Sequence, residues 1–271
     1  MTETAGKFAQ IGDLRMYYED HGRGDPPLVL LNGGLSTIEV DFRRILPRLA
    51  EKRRVIAIEQ QAHGHTADID RPLSYEVMTA DTVALVGQLG IEQADFFGYS
   101  VGSGIAFEIA LRHPSLVRRI VAAGGVSYRP EGMYGGTEDG IGQLTPEMFE
   151  GTSFLESFRR VSPHPDAFAQ TIARVAEMSA GWQGYTDDQV RAIGVPMLVI
   201  VGDSDIVRPE HVVELFRLLG GGVPGDLVGL PESQLAILPG TTHITLVEKA
   251  DWLVSMTEAF LDRELPAAAS G

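Results

Sequence analysis

The chain has no cysteine among its 271 residues. A disulfide framework, a thiolate nucleophile and a thiolate metal site are therefore excluded. Basic residues are scarce as well: 22 Lys and Arg stand against 37 Asp and Glu, for a formal net charge of −15 at pH 7. Nucleic acid and anionic membrane are poor partners for such a chain, because either needs a basic patch to displace counterions or meet lipid headgroups. The acid excess reads instead as a solvated surface that aids solubility. No apolar run is long enough to cross a bilayer. The start, Met1-Thr2-Glu3-Thr4-Ala5-Gly6-Lys7, lacks the basic stretch and apolar core of a secretory signal, which predicts a soluble cytoplasmic protein. No repeat is visible, and no coiled-coil pattern or apolar edge marks an oligomer interface.

What the chain does have is strands alternating with helices. Phe8 to Ile11 and Leu14 to Glu19 read as a hairpin turning at Gly12-Asp13. Leu28-Val29-Leu30-Leu31 and Val55-Ile56-Ala57-Ile58 are apolar at every position, as strands buried on both faces require. Between them a helical spacing runs from Asp41 to Lys52. A helix from about Tyr75 to Leu89, closed by Gly90, precedes the short apolar run at Asp95-Phe96-Phe97. Another helix reaches Arg112, a strand spans Val117 to Val126, and later strands follow at Pro196 to Val201 and Gln234 to Pro239. Helices from Pro209 to Leu219 and after His243 complete the alternation, and the stretch beyond Leu265 reads as a frayed tail.

From Ser127 to about Ile193 the alternation stops. Glycines cluster at Gly132, Gly135, Gly136 and Gly140, and helical patterns appear at Pro146 to Arg160 and Pro165 to Ala180. The expected organisation is an α/β core of residues 1–126 and 194–271, with about eight strands in a mostly parallel, doubly wound sheet. Residues 127–193 form a helical cap inserted into it.

Sites in such sheets lie outside the carboxyl ends of the strands, and every chemically suggestive group falls at one. Gly98-Tyr99-Ser100-Val101-Gly102 places a serine on a sharp strand-to-helix turn, with glycines letting neighbouring chain pass. Taken alone, this pattern arises by chance on the order of once in five chains of such composition. Asp205 and His243, each following another strand, supply the missing partners. A serine hydroxyl is a poor nucleophile at neutral pH, so His243 must accept its proton and return it to the leaving group. Asp205 holds the imidazole tautomer, with Asp203, two residues earlier, as the competitor. Oxyanion donors are predicted at the backbone of Val101 and in the glycine-rich loop after the first buried strand, at Gly34 or next to it at Leu35. Candidate pocket residues are Tyr99 and, in the cap, Tyr134, Phe149, Phe154, Phe158 and Trp182. His63-x-His65 lacks a third ligand and a His-Glu helix spacing, so it reads as a loop feature. No metal or cofactor is expected.

These motifs resemble the α/β-hydrolase family, and within it the capped esterases, enol-lactonases and cofactor-free perhydrolases. The resemblance runs from about Leu14 to Leu261 and rests on three stretches: the elbow, the Gly202-Asp203-Ser204-Asp205 turn, and Gly240-Thr241-Thr242-His243 with Glu248 downstream. The order Ser100, Asp205, His243 is the family's order. Two segments depart from it. Asn32-Gly33 stands where His-Gly is usual, and Glu59-Gln60-Gln61-Ala62-His63-Gly64-His65-Thr66 replaces an acidic-arginine-glycine-histidine-glycine segment. A serine at the elbow, rather than aspartate, limits any likeness to haloalkane dehalogenases and epoxide hydrolases to the fold. The implied activity is hydrolysis of a small or medium carboxylic ester or lactone through an acyl-enzyme. Carbon–carbon bond hydrolysis or perhydrolysis with the same three residues is the alternative, and a non-enzymatic ligand receptor the third reading.

Overall fold

Leu28-Val29-Leu30-Leu31 forms a central strand in the computed structural model of the protein, which describes residues 6–125, 127–134 and 140–264. All four side chains are fully buried, Val29 and Leu31 in one apolar cluster and Leu28 and Leu30 in another. The continuous apolar run thus reflects a sheet covered on both faces. In chain order the strands are β1 (Lys7–Ile11), β2 (Leu14–His21), β3 (Leu28–Leu31), β4 (Val55–Glu59), β5 (Ala94–Tyr99), β6 (Val117–Ala123), β7 (Met197–Ser204) and β8 (Gln234–Thr242). They form one eight-stranded sheet in the order β1-β2-β4-β3-β5-β6-β7-β8. β2 runs antiparallel to its neighbours, and pairing from β4 through β8 is parallel throughout.

This order positions the site. The chain leaves β3 for β4 on one side and returns to β5 on the other, so the loops after β3 and β5 face each other across a topological switch point. Leu31 is paired with Gly98 at that edge. The loops after β6, β7 and β8 follow in sequence along the same rim.

Three local expectations need correction. The helix predicted from Asp41 to Lys52 is two short helices, Ile38–Phe42 and Leu46–Leu49. Pro47 lies in the first turn of the second, where it supplies no N–H to continue the first, and Thr37 caps the first by accepting from the Val40 N–H at 3.2 Å. β6 stops at Ala123, because Gly124 and Gly125 take φ values of 63° and 73°. β7 and β8 run further than predicted and stay paired as far as Ser204 and Thr242. Gly202-Asp203-Ser204 is therefore strand, and the turn begins at Asp205.

Between β6 and β7 lie the helices Ser153–Val161, Phe168–Gly181 and Asp187–Arg191. Leu155 and Phe158 from the first, and Phe168, Ile172, Val175 and Met178 from the second, join the apolar cluster on one sheet face. Polar contacts fasten these helices to the loops below. Thr171 Oγ1 donates to the Ala62 carbonyl at 3.0 Å, and the Thr37 and Ser157 hydroxyls meet at 2.9 Å. Asp68 accepts from Gln170 and Arg174 of the segment between β6 and β7 and from Gln61 after β4, at 2.7, 3.0 and 2.7 Å. Charge-assisted bonds of this kind contribute about 1–3 kcal/mol when partly buried. Asp68→Ala is expected to lower unfolding free energy by about that amount and to raise amide exchange in the Phe168–Gly181 helix. A loss below about 0.5 kcal/mol would show that apolar packing alone holds the segment.

Among the described residues no helix is long and apolar enough to cross a membrane. The tail predicted beyond Leu265, Val126 at the end of the predicted strand, and Gly135 and Gly136 of the glycine cluster lie outside the described residues.

Candidate active site

Ser100 follows β5 and precedes the helix Val101–Arg112, with φ 53° and ψ −116°. A left-handed conformation at a non-glycine residue persists only where the surroundings over-determine it. Its N–H lies 2.9 and 3.0 Å from the carbonyls of Ala123 and Gly124, while the Ser103 and Gly104 N–H groups turn back onto its carbonyl. A Cβ on Gly98 would meet the Gly102 carbonyl oxygen at 2.2 Å, and one on Gly102 the Leu31 carbonyl oxygen at 2.0 Å. The two flanking glycines are therefore imposed by backbone crossing backbone at the turn.

Asp205 follows β7 and its side chain is wholly covered. Its Oδ1 accepts from the Ile206 N–H at 2.7 Å and lies 3.1 Å from His243 Nδ1. His243 Nε2 is in turn 3.0 Å from Ser100 Oγ. Asp203 points the other way, into solvent, where it accepts from the N–H groups of Gly240 and Thr241 at 2.9 and 3.1 Å. Those two bonds hold its carboxyl below the usual carboxylate range. Strand alternation alone would put residues two apart on one face; the two aspartates part because the β7–β8 register shifts between Gly202 and Ser204 and the strand ends there, so the chain has turned before Asp205.

His243 starts from β8, three strands away from β5, a lateral distance of about 14 Å at the usual strand spacing. To reach Ser100 it must lean over β7 and β6. Gly125 makes that passage, since a Cβ there would stand 2.8 Å from His243 Cε1. Tyr99 supports the imidazole from below: its hydroxyl donates to the His243 carbonyl at 2.7 Å and its ring stacks at 5.6 Å. Gly125→Ala is expected to displace the imidazole and lower kcat/KM about 100-fold, the usual result of misplacing a reacting group by about 1 Å. Steady-state kinetics with a circular dichroism control measures this, and wild-type kinetics would remove Gly125 from the account.

The loop after β3 reaches the same rim. A Cβ on Gly34 would lie 3.0 Å from Val101 Cγ2, so Gly34 and Val101 are adjacent. Leu35 adopts φ 61° and buries its side chain in the core. The Gly33 N–H is committed to Asp41 Oδ2 at 2.7 Å. Asp41 is buried, and burial raises its carboxyl to about 7 against the opposing pull of the Ser36 hydroxyl, the Gly33 N–H and nearby His243.

The candidate pocket residues divide. Phe154 and Tyr99 line a cavity of about 80 Å³ together with Asp41, Arg44 and Ile244, the residue after His243. Phe149 packs against Phe154 and Phe168 with ring centroids 6.1 and 5.2 Å away. Phe158 is buried on Phe168 and edges a second cavity of about 290 Å³, shared with Ala62, Asp68 and His164. Trp182 sits between Tyr75 and Tyr185 and so anchors the end of its helix to the core. The half-exposed ring of Tyr134 lies under the Arg208 guanidinium, and its N–H donates to the Ile206 carbonyl beside Asp205. A larger cavity of about 610 Å³ lies among Asp25, Lys52, Arg53 and Arg119, near the amino ends of the strands and away from this chemistry.

The two departing segments acquire physical explanations. Asn32 Nδ2 donates to the carbonyls of Gly33 and Ser36, tying its loop to itself. Glu59 is buried and accepts from the Ile38 N–H, the His65 N–H and His65 Nδ1. His65 also stacks on Tyr17 at 3.9 Å, while His63 faces the Gln61 carbonyl and is held below the usual histidine range by burial. Among the described residues no group of three His, Asp or Glu could hold a metal ion.

Three contributors escaped the sequence reading. Gly124-Gly125 carried a usable signal, a glycine pair directly after a strand. Asp41 looked like an ordinary acidic residue at a helix start. The bond from Tyr99 to the His243 carbonyl spans 144 residues and has no local signature.

A serine, a histidine and an aspartate joined at the rim of a mostly parallel sheet define a class, and the chain belongs to the α/β-hydrolase family. The family model described as alpha/beta hydrolase fold matches residues 26–179, more than half of the chain. Among curated relatives, 2-hydroxymuconate semialdehyde hydrolase of Pseudomonas sp. CF600 is 34% identical over 150 residues, covering 54% of this chain and 51% of that protein. A putative carbamate hydrolase of Agrobacterium fabrum is 25% identical over 93% of this chain and 99% of its own length. Among solved structures, the enol-lactonase from Burkholderia xenovorans LB400 superposes with a TM-score of 0.72 at 20% identity, over 95% of this chain and 100% of that one. The fold and class are those of a hydrolase.

Proposed function

We propose that the protein hydrolyses a small or medium carboxylic ester or lactone through an acyl-enzyme formed on Ser100. The observation that carries the proposal is the unbroken chain Ser100–His243–Asp205, with contacts of 3.0 and 3.1 Å ending on a fully covered carboxylate. Ser100 Oγ attacks the carbonyl carbon as His243 Nε2 takes its proton. The imidazolium, oriented and stabilised by Asp205, then protonates the departing alkoxide. Water repeats the sequence on the acyl-enzyme and releases the acid. The developing oxyanion is met by backbone N–H groups of Val101 and Gly34, with Leu35 next in the loop.

A second reading, hydrolysis of a carbon–carbon bond in a dienoate, is favoured by the relative that acts on 2-hydroxymuconate semialdehyde. Perhydrolysis would use the same three residues with peroxide in place of water. The test is a panel of p-nitrophenyl esters, lactones, a carbamate and a ring-fission dienoate, with product analysis and a peroxide arm. Ester or lactone turnover with fluorophosphonate labelling of the protein is the expected result. Rapid dienoate cleavage with an inert ester set would reverse the ranking, and tight ligand binding without any turnover would favour a receptor.

A further inference from the structure

We propose that Asp41 is a positioning residue for the oxyanion loop, clamping it on both sides of Gly34 and Leu35. The inference rests on the proposed reading of Ser100 as nucleophile. The two carboxyl oxygens divide between the two ends of the turn: Oδ2 accepts from the Gly33 N–H at 2.7 Å and Oδ1 from the Ser36 hydroxyl at 2.7 Å. Asn32 Nδ2 completes the enclosure through the Gly33 and Ser36 carbonyls at 2.9 and 3.2 Å. What lies between these anchors is Gly34, packed against Val101, and Leu35, whose φ of 61° is a left-handed conformation for a residue with a side chain. A strained conformation of that kind is kept only where fixed partners enforce it. The clamp also consumes the Gly33 N–H, which leaves the two following N–H groups as the loop's candidate oxyanion donors.

Burying a carboxyl group for stability alone is a poor arrangement, since an apolar residue of similar volume would avoid the desolvation. That cost is visible in the weakened acidity of Asp41, whose pKa burial raises to about 7. The sign follows from linkage: below the unfolded value near 3.8 the carboxyl is protonated in both states, and its share of stability is lost as pH rises through about 7. Ionisation has the opposite effect on the clamp, because a carboxylate accepts both bonds with charge assistance. The charged and titratable groups around it are His243 and Glu59, the Tyr99 phenol, and Arg43, Arg44 and Glu248 lining the adjoining cavity.

The experiment compares Asp41→Asn and Ser36→Ala with wild type by steady-state kinetics from pH 5 to 9 and by the rate of fluorophosphonate labelling. An asparagine can accept from only one of the two donors. Its expected effect is a 10- to 100-fold loss in kcat with KM changed less than about threefold, by analogy with removal of an oxyanion donor. Ser36→Ala is expected to lose about three- to tenfold in the same parameter. The wild-type acid limb should be steeper than a one-proton titration, and that of Asp41→Asn should fall to one proton. Unchanged kcat in both variants, or an unchanged acid limb in Asp41→Asn, overturns the proposal. If Asp41→Asn does not fold, Ser36→Ala at unaltered melting temperature decides. Failure of wild type to label removes the nucleophile reading and this inference with it. Equal labelling of wild type and variants removes only the role of Asp41.

Discussion

Replacing Ser100 with alanine is expected to lower hydrolysis by about 10⁴- to 10⁶-fold, the loss typical when the nucleophile of a serine–histidine–aspartate unit is deleted. The variant should also lose all fluorophosphonate labelling. Its fold should survive, because the turn is held by main-chain bonds from the Ser100 N–H to Ala123 and Gly124 and by the crossing of Gly98 and Gly102, none of which uses the hydroxyl. Circular dichroism and melting temperature supply that control. His243→Ala should produce a loss of similar size, since the two residues act as one unit and their effects do not add. Retention of more than about a tenth of wild-type turnover by Ser100→Ala, beyond anything such a deletion permits, would place the chemistry elsewhere.

The second large effect belongs to Asp205. Asp205→Asn is expected to reduce kcat about 10⁴-fold with little change in KM, because the substitution leaves the geometry and changes the tautomer. The local donors make the reason specific. Oδ1 faces both the Ile206 N–H and His243 Nδ1, and Oδ2 faces the Gly202 N–H at 3.5 Å. If the amide oxygen takes the Oδ1 place, the NH₂ opposes the Gly202 donor. If the amide is flipped, the NH₂ confronts His243 Nδ1, which must then accept, and the proton moves to the nitrogen that should receive one from Ser100. Asp203→Asn is the paired control. That side chain is exposed and accepts from the Gly240 and Thr241 N–H groups and the Ser204 hydroxyl, away from His243, so its kcat should stay within about threefold of wild type. The opposite pattern, with Asp203 essential and Asp205 dispensable, would reassign the acid.

Both outcomes bear on how far the residues alone could be read. The strand β3 matches its predicted limits, and β1, β2 and β4 come within a few residues, because apolar runs and turn glycines report burial locally. The separation of Asp203 from Asp205 was not legible, since residues two apart on an extended chain share a face and only the register shift and the strand end before Asp205 part them. Errors came where one residue outweighed a pattern. Pro47 split a helix that spacing alone had joined, and continued pairing of Ser204 with Thr242 carried β7 through an apparent turn. The aromatic residues between β6 and β7 were recognisable as a group. Their division into Phe154 at a cavity, Phe158 in the packing and Trp182 on Tyr75 and Tyr185 was not, because helix placement depends on contacts distant in sequence.

The sequence by itself determined the strand ends on which Ser100, Asp205 and His243 fall, and the class of chemistry those residue types can perform. Only the tertiary structure decided that they meet. Lateral strand order sets β8 three places from β5, and closing that gap needs the Gly125 clearance under His243, the Tyr99 bond to its carbonyl and the covered pocket around Asp205. It also decided the inward turn of Asp41 onto Gly33 and Ser36. Periodicity records which face of its own element a side chain occupies, whereas these contacts depend on how separate elements are laid side by side.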